Sequence, residues 1–152
     1  MSVLELKVPP PIVALVLALL MWLTPAVTGL VQIPHPAHVL CAVVLVCIGQ
    51  SISIAGMIGF RRAKTTVNPV KASLASSLVI QGVYRYTRNP MYLGFLLTLL
   101  AWAIFLANPF AVLWVVVFVL YITRFQIIPE ERVLMSPLWQ SARLKGKVRR
   151  WV

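Results

Sequence analysis

The sequence predicts an all-α integral membrane protein: four transmembrane helices, a cytosolic loop and a C-terminal cytosolic helix, in one domain over residues 1–152. Three observations predict this fold class. The 152 residues are 61% hydrophobic and 11% charged, whereas soluble domains are about half apolar and about a quarter charged. The apolar residues form long uncharged runs, and the basic residues are confined to particular connections between those runs.

The uncharged runs define the spans. Crossing a bilayer takes about 20 mostly apolar residues, and the first two runs reach that length. The last two runs are shorter and are separated only by Asn108-Pro109, which predicts either tilted spans or a tight helical hairpin. Pro25 inside the first span predicts a kink. The predicted spans are about residues 12–31, 37–60, 91–107 and 109–127, with a cytosolic loop at 61–90 and a cytosolic tail at 128–152.

The net charge of +11 is explained by where the basic residues lie. Of the 14 Lys and Arg residues, one precedes the first span, six lie in the loop at 61–90, and seven lie from residue 124 onward. The positive-inside rule therefore predicts an inner-membrane protein with both termini and the middle loop in the cytosol. No folded polar surface is available for nucleic acid, so we expect the basic residues to meet anionic lipid headgroups.

Several function classes lack their usual signatures. The sequence has no Gly-rich nucleotide loop, P-loop lysine, nucleophile elbow or HExxH motif. No ionisable residue lies in the middle of a span, which argues against a transporter. His35 and His38 have no third ligand nearby, so no metal site is predicted. Cys41 and Cys47 are expected to be small packing residues.

Residues 82–94 contain the most informative group of candidate site residues. Asn89 is a favourable N-cap and Pro90 a favourable first helical residue, so the third span is predicted to begin there. Its first turn would present backbone N–H groups and a positive helix end at the cytosolic interface, where a carboxylate or phosphate binds readily. The stretch also holds three tyrosines, Tyr84, Tyr86 and Tyr92. Their rings could stack on a cation or an adenine; the alternative is an aromatic belt beside a capped helix.

Two of the three acidic residues, Glu130 and Glu131, lie just past the fourth span, at the same predicted membrane face. With Pro129 before them they are typical of a helix start, where carboxylates are favoured by the helix dipole. That interpretation explains acids at this position but not their near-absence elsewhere. The functional alternative is a carboxylate that binds a ligand ammonium group.

These stretches form an ordered set over residues 60–151. Its parts are Phe60-Arg61-Arg62-Ala63, Thr65-Thr66-Val67-Asn68-Pro69, Leu78-Val79, Gly82-Val83-Tyr84-Arg85, Arg88-Asn89-Pro90-Met91-Tyr92-Leu93-Gly94, Pro129-Glu130-Glu131-Arg132 and Val148-Arg149-Arg150-Trp151. The set resembles the isoprenylcysteine carboxyl methyltransferase family, within the wider group of membrane phospholipid-type methyltransferases. The opening Leu4-Glu5-Leu6-Lys7-Val8-Pro9-Pro10 is similar to that of small bacterial members.

The resemblance implies a methyltransferase that uses S-adenosylmethionine, bound in a cytosolic pocket made by the loop, the start of the third span and the tail. By position, the cofactor site would include Ser76, Ser77, Leu78, Val79, Tyr84, Asn89, Pro90, Met91, Tyr92, Glu130 and Glu131. The acceptor implied by the family is the carboxyl group of an isoprenylcysteine, or more generally a lipophilic or small molecule that arrives from the bilayer. The alternatives are a non-catalytic membrane protein that retains the scaffold, and a membrane reductase that uses a nicotinamide cofactor.

Two departures from the family pattern concern the acceptor and the tail. Eukaryotic members have an arginine, assigned to the substrate carboxylate, four positions before the first Glu; here that residue is Gln126, with Arg124 two positions earlier. Arg124 and Gln126 are therefore the candidate catalytic residues, although a snorkelling role would also account for Arg124. Residues 135–143 lack the family's Phe-Gly and spaced tyrosines and contain Pro137, so the lid over the cofactor is expected to differ.

Overall fold

The computed structural model describes residues 7–28, 36–62, 82–134 and 151. The regular structure in these ranges is helical. Helix α1 spans Pro10–Thr28 and α2 Pro36–Arg62; a 3-10 turn at Gly82–Arg85 precedes α3 at Pro90–Phe105; α4 at Ala111–Ile122 continues through a π-helical segment, Thr123–Ile127, into α5 at Ile128–Leu134. Helix α1 runs antiparallel to α4, since contacts join the start of α1 to the π segment and the end of α1 to the turn before α4. Helix α2 runs antiparallel to α3, since Gly49 lies beside Gly94 and Gly56 beside Pro90.

Within the described residues, three helical stretches are long and apolar enough to cross a membrane: Pro10–Thr28, Ala37–Gly59 and Ala111–Arg132. The chain is therefore a multi-pass membrane protein by helix length and composition. Helix α3 has 16 residues and is about 24 Å long at 1.5 Å per residue, which is shorter than the bilayer core of about 30 Å. The fourth span stays a prediction. The predicted hairpin between the third and fourth spans is confirmed, because α3 ends at Phe105 and α4 begins at Ala111.

The predicted helix start at Pro129 is wrong. Ile128, with φ −62° and ψ −47°, is helical, so the chain passes from the π segment into α5 without a break. Proline lacks an N–H and its ring clashes with the carbonyl group four residues earlier, which is Phe125 here. A π turn widens the helix locally, and such turns accommodate this kind of misfit. Glu130 and Glu131 thus lie on an extension of the fourth predicted span.

The core lies between α1, α3 and α4. Side chains buried there include Leu17 and Met21 of α1, Leu99 of α3, and Phe118 of α4. The indole N–H of Trp102 donates to the Ala18 carbonyl oxygen at 3.1 Å. Polar groups inside a membrane need internal partners, and this bond joins α3 to α1 while satisfying both groups.

Helix α2 packs against α3 through small residues. A Cβ added to Gly94 would lie 2.6 Å from the Gly49 carbonyl oxygen and would overlap the Ser53 hydroxyl group. A Cβ added to Gly56 would lie 2.8 Å from Cγ of Pro90. Small residues at such spacing let membrane helices approach closely. This seam fixes the start of α3 beside the end of α2.

The sequence predicts that the two cysteines are packing residues, and this prediction is wrong. Cys41 and Cys47 are unbonded, and both are exposed on α2. The surface of α2 away from α3 also exposes Val43, Val44 and Ile48. Apolar side chains on that surface suit contact with lipid, so periodicity within an apolar run does not separate core from lipid-facing positions.

Candidate functional site

The start of α3 is formed as the sequence predicts, but by a different capping arrangement. Pro90 is the first residue of the helix, and the Asn89 side chain makes no capping hydrogen bond. Instead the Asn89 backbone N–H donates to the Thr87 hydroxyl oxygen at 3.2 Å, and Leu93 N–H donates to the Asn89 carbonyl oxygen at 2.9 Å. A helix start leaves its first N–H groups without helical acceptors. Here these belong to Met91 and Tyr92.

Tyr84 connects the 3-10 turn to this helix start. Its side chain is buried, and its hydroxyl group donates to the Gly56 carbonyl oxygen at 3.3 Å. Burial raises the pKa of the Tyr84 phenol above its usual range, so the group remains a neutral donor. Tyr86 differs, since 76% of it is exposed. Of these two tyrosines, only Tyr84 faces the protein interior.

The central contact joins α3 to α5. The Tyr92 hydroxyl group donates to Glu130 Oε1 at 2.5 Å, across 38 positions of sequence. Tyr92 is buried and Glu130 is half-buried. Among the described residues no Lys or Arg forms an ion pair with Glu130, although the chain has 14 of them. A carboxylate held by a phenol rather than by a cation keeps its capacity to bind one.

Glu131 is paired differently from its neighbour. Its Oε1 lies 3.8 Å from Nη1 of Arg88, and both side chains are about one-fifth exposed. The pair ties α5 to the segment just before α3. The two adjacent acids therefore differ: Glu131 forms an ion pair with Arg88, whereas Glu130 has no such pair among the described residues.

The two candidate catalytic residues, Arg124 and Gln126, differ in their exposure to solvent. Arg124 is exposed, and its guanidinium carbon lies 5.7 Å from the centroid of the Phe125 ring. Gln126 is fully buried, and its Nε2 donates to the Val8 carbonyl oxygen at 2.7 Å. Arg124 therefore has the exposed position expected of a snorkelling residue, whereas Gln126 lies inside the protein.

The structure brings together most of the predicted cofactor residues. Those assembled around the start of α3 and α5 are Tyr84, Asn89, Pro90, Met91, Tyr92, Glu130 and Glu131. Ser76, Ser77, Leu78 and Val79 lie outside the described residues, so their placement at the site stays a prediction. Among the described residues, no group of three His, Cys, Asp or Glu side chains is arranged to hold a metal ion.

Sequence reasoning missed three contributors to the site. Gly56 accepts the Tyr84 hydroxyl group, Val8 accepts the Gln126 amide, and Trp151 donates from Nε1 to the Thr123 hydroxyl oxygen at 3.3 Å. The small-residue spacing around Gly56 was a readable signal for close helix packing. The residues around Val8 and Trp151 in the sequence do not predict contacts with residues more than twenty positions away.

Comparison with known proteins gives a match over the part of the chain that contains the candidate site. The family model described as phospholipid methyltransferase matches residues 37–141, which include all of α2 except its first residue, α3 to α5, and the seven assembled site residues. An uncharacterized protein of Haemophilus influenzae is 49% identical over 63 residues, which make up 41% of this chain and the whole of that protein. No solved structure matches the chain.

Proposed function

The chain belongs to the phospholipid methyltransferase family, and from that premise we propose that it is a membrane methyltransferase that uses S-adenosylmethionine as methyl donor. Its acceptor is a lipophilic or small molecule that reaches the site from the bilayer. The carboxyl group of an isoprenylcysteine is the acceptor suggested by the resemblance of the sequence motifs. Family membership supports the methyltransferase class; the donor and the acceptor are our proposal.

One observation carries this proposal: Glu130 meets a phenol instead of a cation, beside the start of a helix. The amino-acid part of S-adenosylmethionine has an ammonium group and a carboxylate. Glu130 would bind the ammonium group by charge-assisted hydrogen bonds. The N–H groups of Met91 and Tyr92 would bind the carboxylate at the positive end of α3. The described residues thus fit both charges of the donor.

The roles of the protein groups follow from the donor's chemistry. S-adenosylmethionine supplies a methyl group that is already activated on a sulfonium, so no nucleophilic side chain is needed. Tyr92 orients Glu130, and Tyr84 braces the start of α3 against α2. Such groups act by holding donor and acceptor in line and by excluding water from the reacting atoms.

We also propose that the site faces the cytosol, with four spans and both termini on that side of the inner membrane. The exposed cations support this orientation, because the described ones lie at the end of the bundle that carries Glu130: Lys7, Arg61, Arg85, Arg124 and Arg132. Positive loops favour the cytosolic side, where anionic lipids are also found. Labelling of single introduced cysteines from either side of sealed vesicles tests this topology.

The decisive experiment is donor binding to purified protein in lipid nanodiscs, measured by titration calorimetry with S-adenosylmethionine and S-adenosylhomocysteine. We expect both to bind the wild type. Glu130→Gln should weaken binding at least about tenfold, which corresponds to about 1.4 kcal/mol, and Tyr92→Phe should weaken it less. Glu131→Gln is the matched control, because Glu131 is already paired with Arg88.

Each other outcome has a defined meaning. If Glu131→Gln weakens donor binding more than Glu130→Gln does, Glu131 rather than Glu130 binds the ammonium group, and our assignment is wrong. If the wild type binds neither compound, the methyltransferase proposal fails and a non-catalytic scaffold is favoured. Binding of NADPH in their place would favour a reductase. With binding established, methyl-labelled donor added to membranes identifies the acceptor from the labelled product.

A further inference from the structure

Gln126 contains a buried hydrogen-bond acceptor that nothing in the described chain satisfies. The residue is fully buried in the π-helical segment, and its Oε1 has no hydrogen-bond partner among the described residues. The orientation of the Gln126 amide is set by the hydrogen bond of its nitrogen atom. Its nitrogen lies 2.7 Å from the Val8 carbonyl oxygen, and a carbonyl only accepts, so the nitrogen must face Val8.

Such an unpaired group is energetically unfavourable. A buried acceptor without a donor costs about 1–3 kcal/mol, and a leucine of similar size would avoid that cost. Asn108, at the other end of the bundle, is also a buried amide, and both of its ends are bonded within the chain. The open acceptor on Gln126 therefore points to a donor that comes from outside the described protein.

The position of Gln126 indicates which molecule brings that donor. Gln126 and Glu130 are four residues apart on one continuous helix, so they share a face one turn apart. Four residues of helix rise about 6 Å. The ammonium group and the sulfonium of S-adenosylmethionine are separated by a three-carbon chain of similar reach. With the ammonium group on Glu130, the methyl group and its acceptor would lie near Gln126.

We propose that Gln126 Oε1 accepts a hydrogen bond from the nucleophile of the methyl acceptor, and that this nucleophile is a neutral amine or hydroxyl group. The inference rests on the proposed function. An N–H or O–H group satisfies the open acceptor, and its lone pair remains free to attack. A carboxylate has no hydrogen to donate, and its negative charge would face the negative end of the amide carbonyl. Gln126 therefore disfavours a carboxylate acceptor.

The transfer balances without another reactant. The lone pair of the amine or hydroxyl group forms a bond to the methyl carbon, the carbon–sulfur bond breaks, and its electron pair returns to sulfur to give the neutral thioether. The hydrogen bonded to Gln126 is then lost as a proton to water at the membrane face. Gln126 holds the nucleophile and takes no proton itself.

The test uses full-length protein in nanodiscs and three single-chain probes of equal length: a fatty amine, a fatty alcohol and a fatty acid. Binding of each probe to the complex with S-adenosylhomocysteine is measured first, followed by methyl transfer from labelled donor. We expect the amine or the alcohol to bind and to be methylated, with the acid at least about tenfold weaker. Preference for the acid, or binding of none of the three, overturns the inference.

Variants then separate the acceptor role from the contact with Val8. Gln126→Leu removes both, whereas Gln126→Glu retains an acceptor oxygen and loses the amide donor. We expect Gln126→Leu to raise the KM for the preferred probe about tenfold, with the Kd for S-adenosylmethionine unchanged, and Gln126→Glu to retain most of the affinity for the probe. Leu120→Val, at an exposed position of α4, is the control and should leave KM unchanged.

These outcomes are distinguishable from failure of the proposed function. If the wild type binds no donor, the methyltransferase proposal itself is wrong. If donor binding and methyl transfer are normal while Gln126→Leu and Gln126→Glu both keep the wild-type KM, only the role of Gln126 is wrong. If both variants raise KM equally, the role of Gln126 is its hydrogen bond to the Val8 carbonyl oxygen and not the binding of the acceptor. Thermal unfolding of each variant checks that it is folded.

Discussion

The two ends of the helical bundle use polar groups in opposite ways. At the Asn108 end, where α1 finishes and α4 begins, the Asn108 amide nitrogen donates to Thr28 Oγ1 at 3.1 Å and its Oδ1 accepts from Phe110 N–H at 2.9 Å. Trp114 donates from Nε1 to Thr24 Oγ1 at 2.9 Å, and Thr24 in turn donates to a backbone carbonyl. These polar side chains are satisfied by their own chain.

At the Glu130 end, where α3 starts beside α5, bonding capacity is left over. Within the part of the chain that the structure describes, Glu130 has a phenol partner in place of a cation, and Gln126 Oε1 is buried without a donor. The first N–H groups of α3, which have no helical acceptors, lie at the same end of the bundle. Unsatisfied buried polar groups are unfavourable, and the described residues have one at each end: Gln126 Oε1 here and His38 Nδ1 near the start of α2. The Glu130 end differs because its open acceptor lies one helical turn from a carboxylate without a cation and near the start of α3, and this combination favours a ligand at that end.

The Asn108 end has an apolar groove that lies away from the candidate site. A groove of about 510 Å³ between α1 and α4 is lined by residues such as Leu23, Val27, Phe110 and Leu113. Its walls are almost entirely apolar, and it opens toward the region that lipid would occupy. We expect the site at the Glu130 end rather than in this groove, because hydrogen-bonding and charge capacity are left over at the Glu130 end.

The largest effect is expected from filling the seam that positions the Glu130 end. Gly94→Ala introduces a Cβ 2.6 Å from the Gly49 carbonyl oxygen and into the Ser53 hydroxyl group, so α2 and α3 must separate. Overpacking of this kind costs about 3 kcal/mol at its upper range, and binding of S-adenosylmethionine should be lost together with stability. Unfolding in mixed micelles measures the loss.

The control for this seam is a similar enlargement away from it. Ala55 is exposed on α2, and Ala55→Val should leave the unfolding free energy within about 0.5 kcal/mol of the wild type. A Gly94→Ala protein with wild-type stability and wild-type donor binding would mean that the seam does not position the start of α3.

A smaller and more selective effect is expected at the Asn108 end. Asn108→Ala removes two hydrogen bonds from a buried position and should lower the free energy of unfolding by about 2 kcal/mol. Affinity for S-adenosylmethionine should stay at the wild-type value, since the site lies at the opposite end. If donor affinity falls tenfold in a protein that is still folded, the two ends are coupled and the separation of roles is wrong.

The parts of the fold that follow from solvent and charge could be predicted. Uncharged runs located the first two helices to within a few residues, and Asn108-Pro109 located the hairpin. The sequence did not predict that the helix continues past Pro129. The rule that proline starts or stops a helix considers only neighbouring residues, and here a π turn accommodates the proline ring within the helix. Which faces meet lipid also escaped the sequence, since nearly every position in these helices is apolar.

Pairing within the site depends on contacts that local patterns do not encode. Tyr92 and Glu130 are 38 residues apart, and Gln126 and Val8 are 118 apart. Family resemblance predicted that Tyr92 and Glu130 share a site, because it carries information about tertiary structure that spacing lacks. It did not predict the open acceptor of Gln126, which depends on how one amide is oriented by a backbone carbonyl.

The smallest effect is expected at Tyr84, which lies at the Glu130 end but whose hydroxyl group bonds within the protein. Tyr84→Phe should lower the free energy of unfolding by about 1 kcal/mol at neutral pH and leave donor affinity unchanged. Because the folded-state pKa of Tyr84 is raised above its usual value of 10, its contribution is fully present below about pH 10 and is lost as pH rises above it. Wild-type stability should therefore decline more steeply above pH 10 than that of the variant.

The matched control for Tyr84 is Tyr86→Phe, at a tyrosine that is 76% exposed, and it should change neither the stability nor its slope with pH. Comparison of the two variants by chemical unfolding across the alkaline range isolates the buried hydroxyl group. If Tyr84→Phe weakens donor binding without changing stability, the hydroxyl group acts on the ligand. Tyr84 would then belong with Glu130 and Gln126 as a group reserved for binding, and the structural role at this end would rest on the α2–α3 seam.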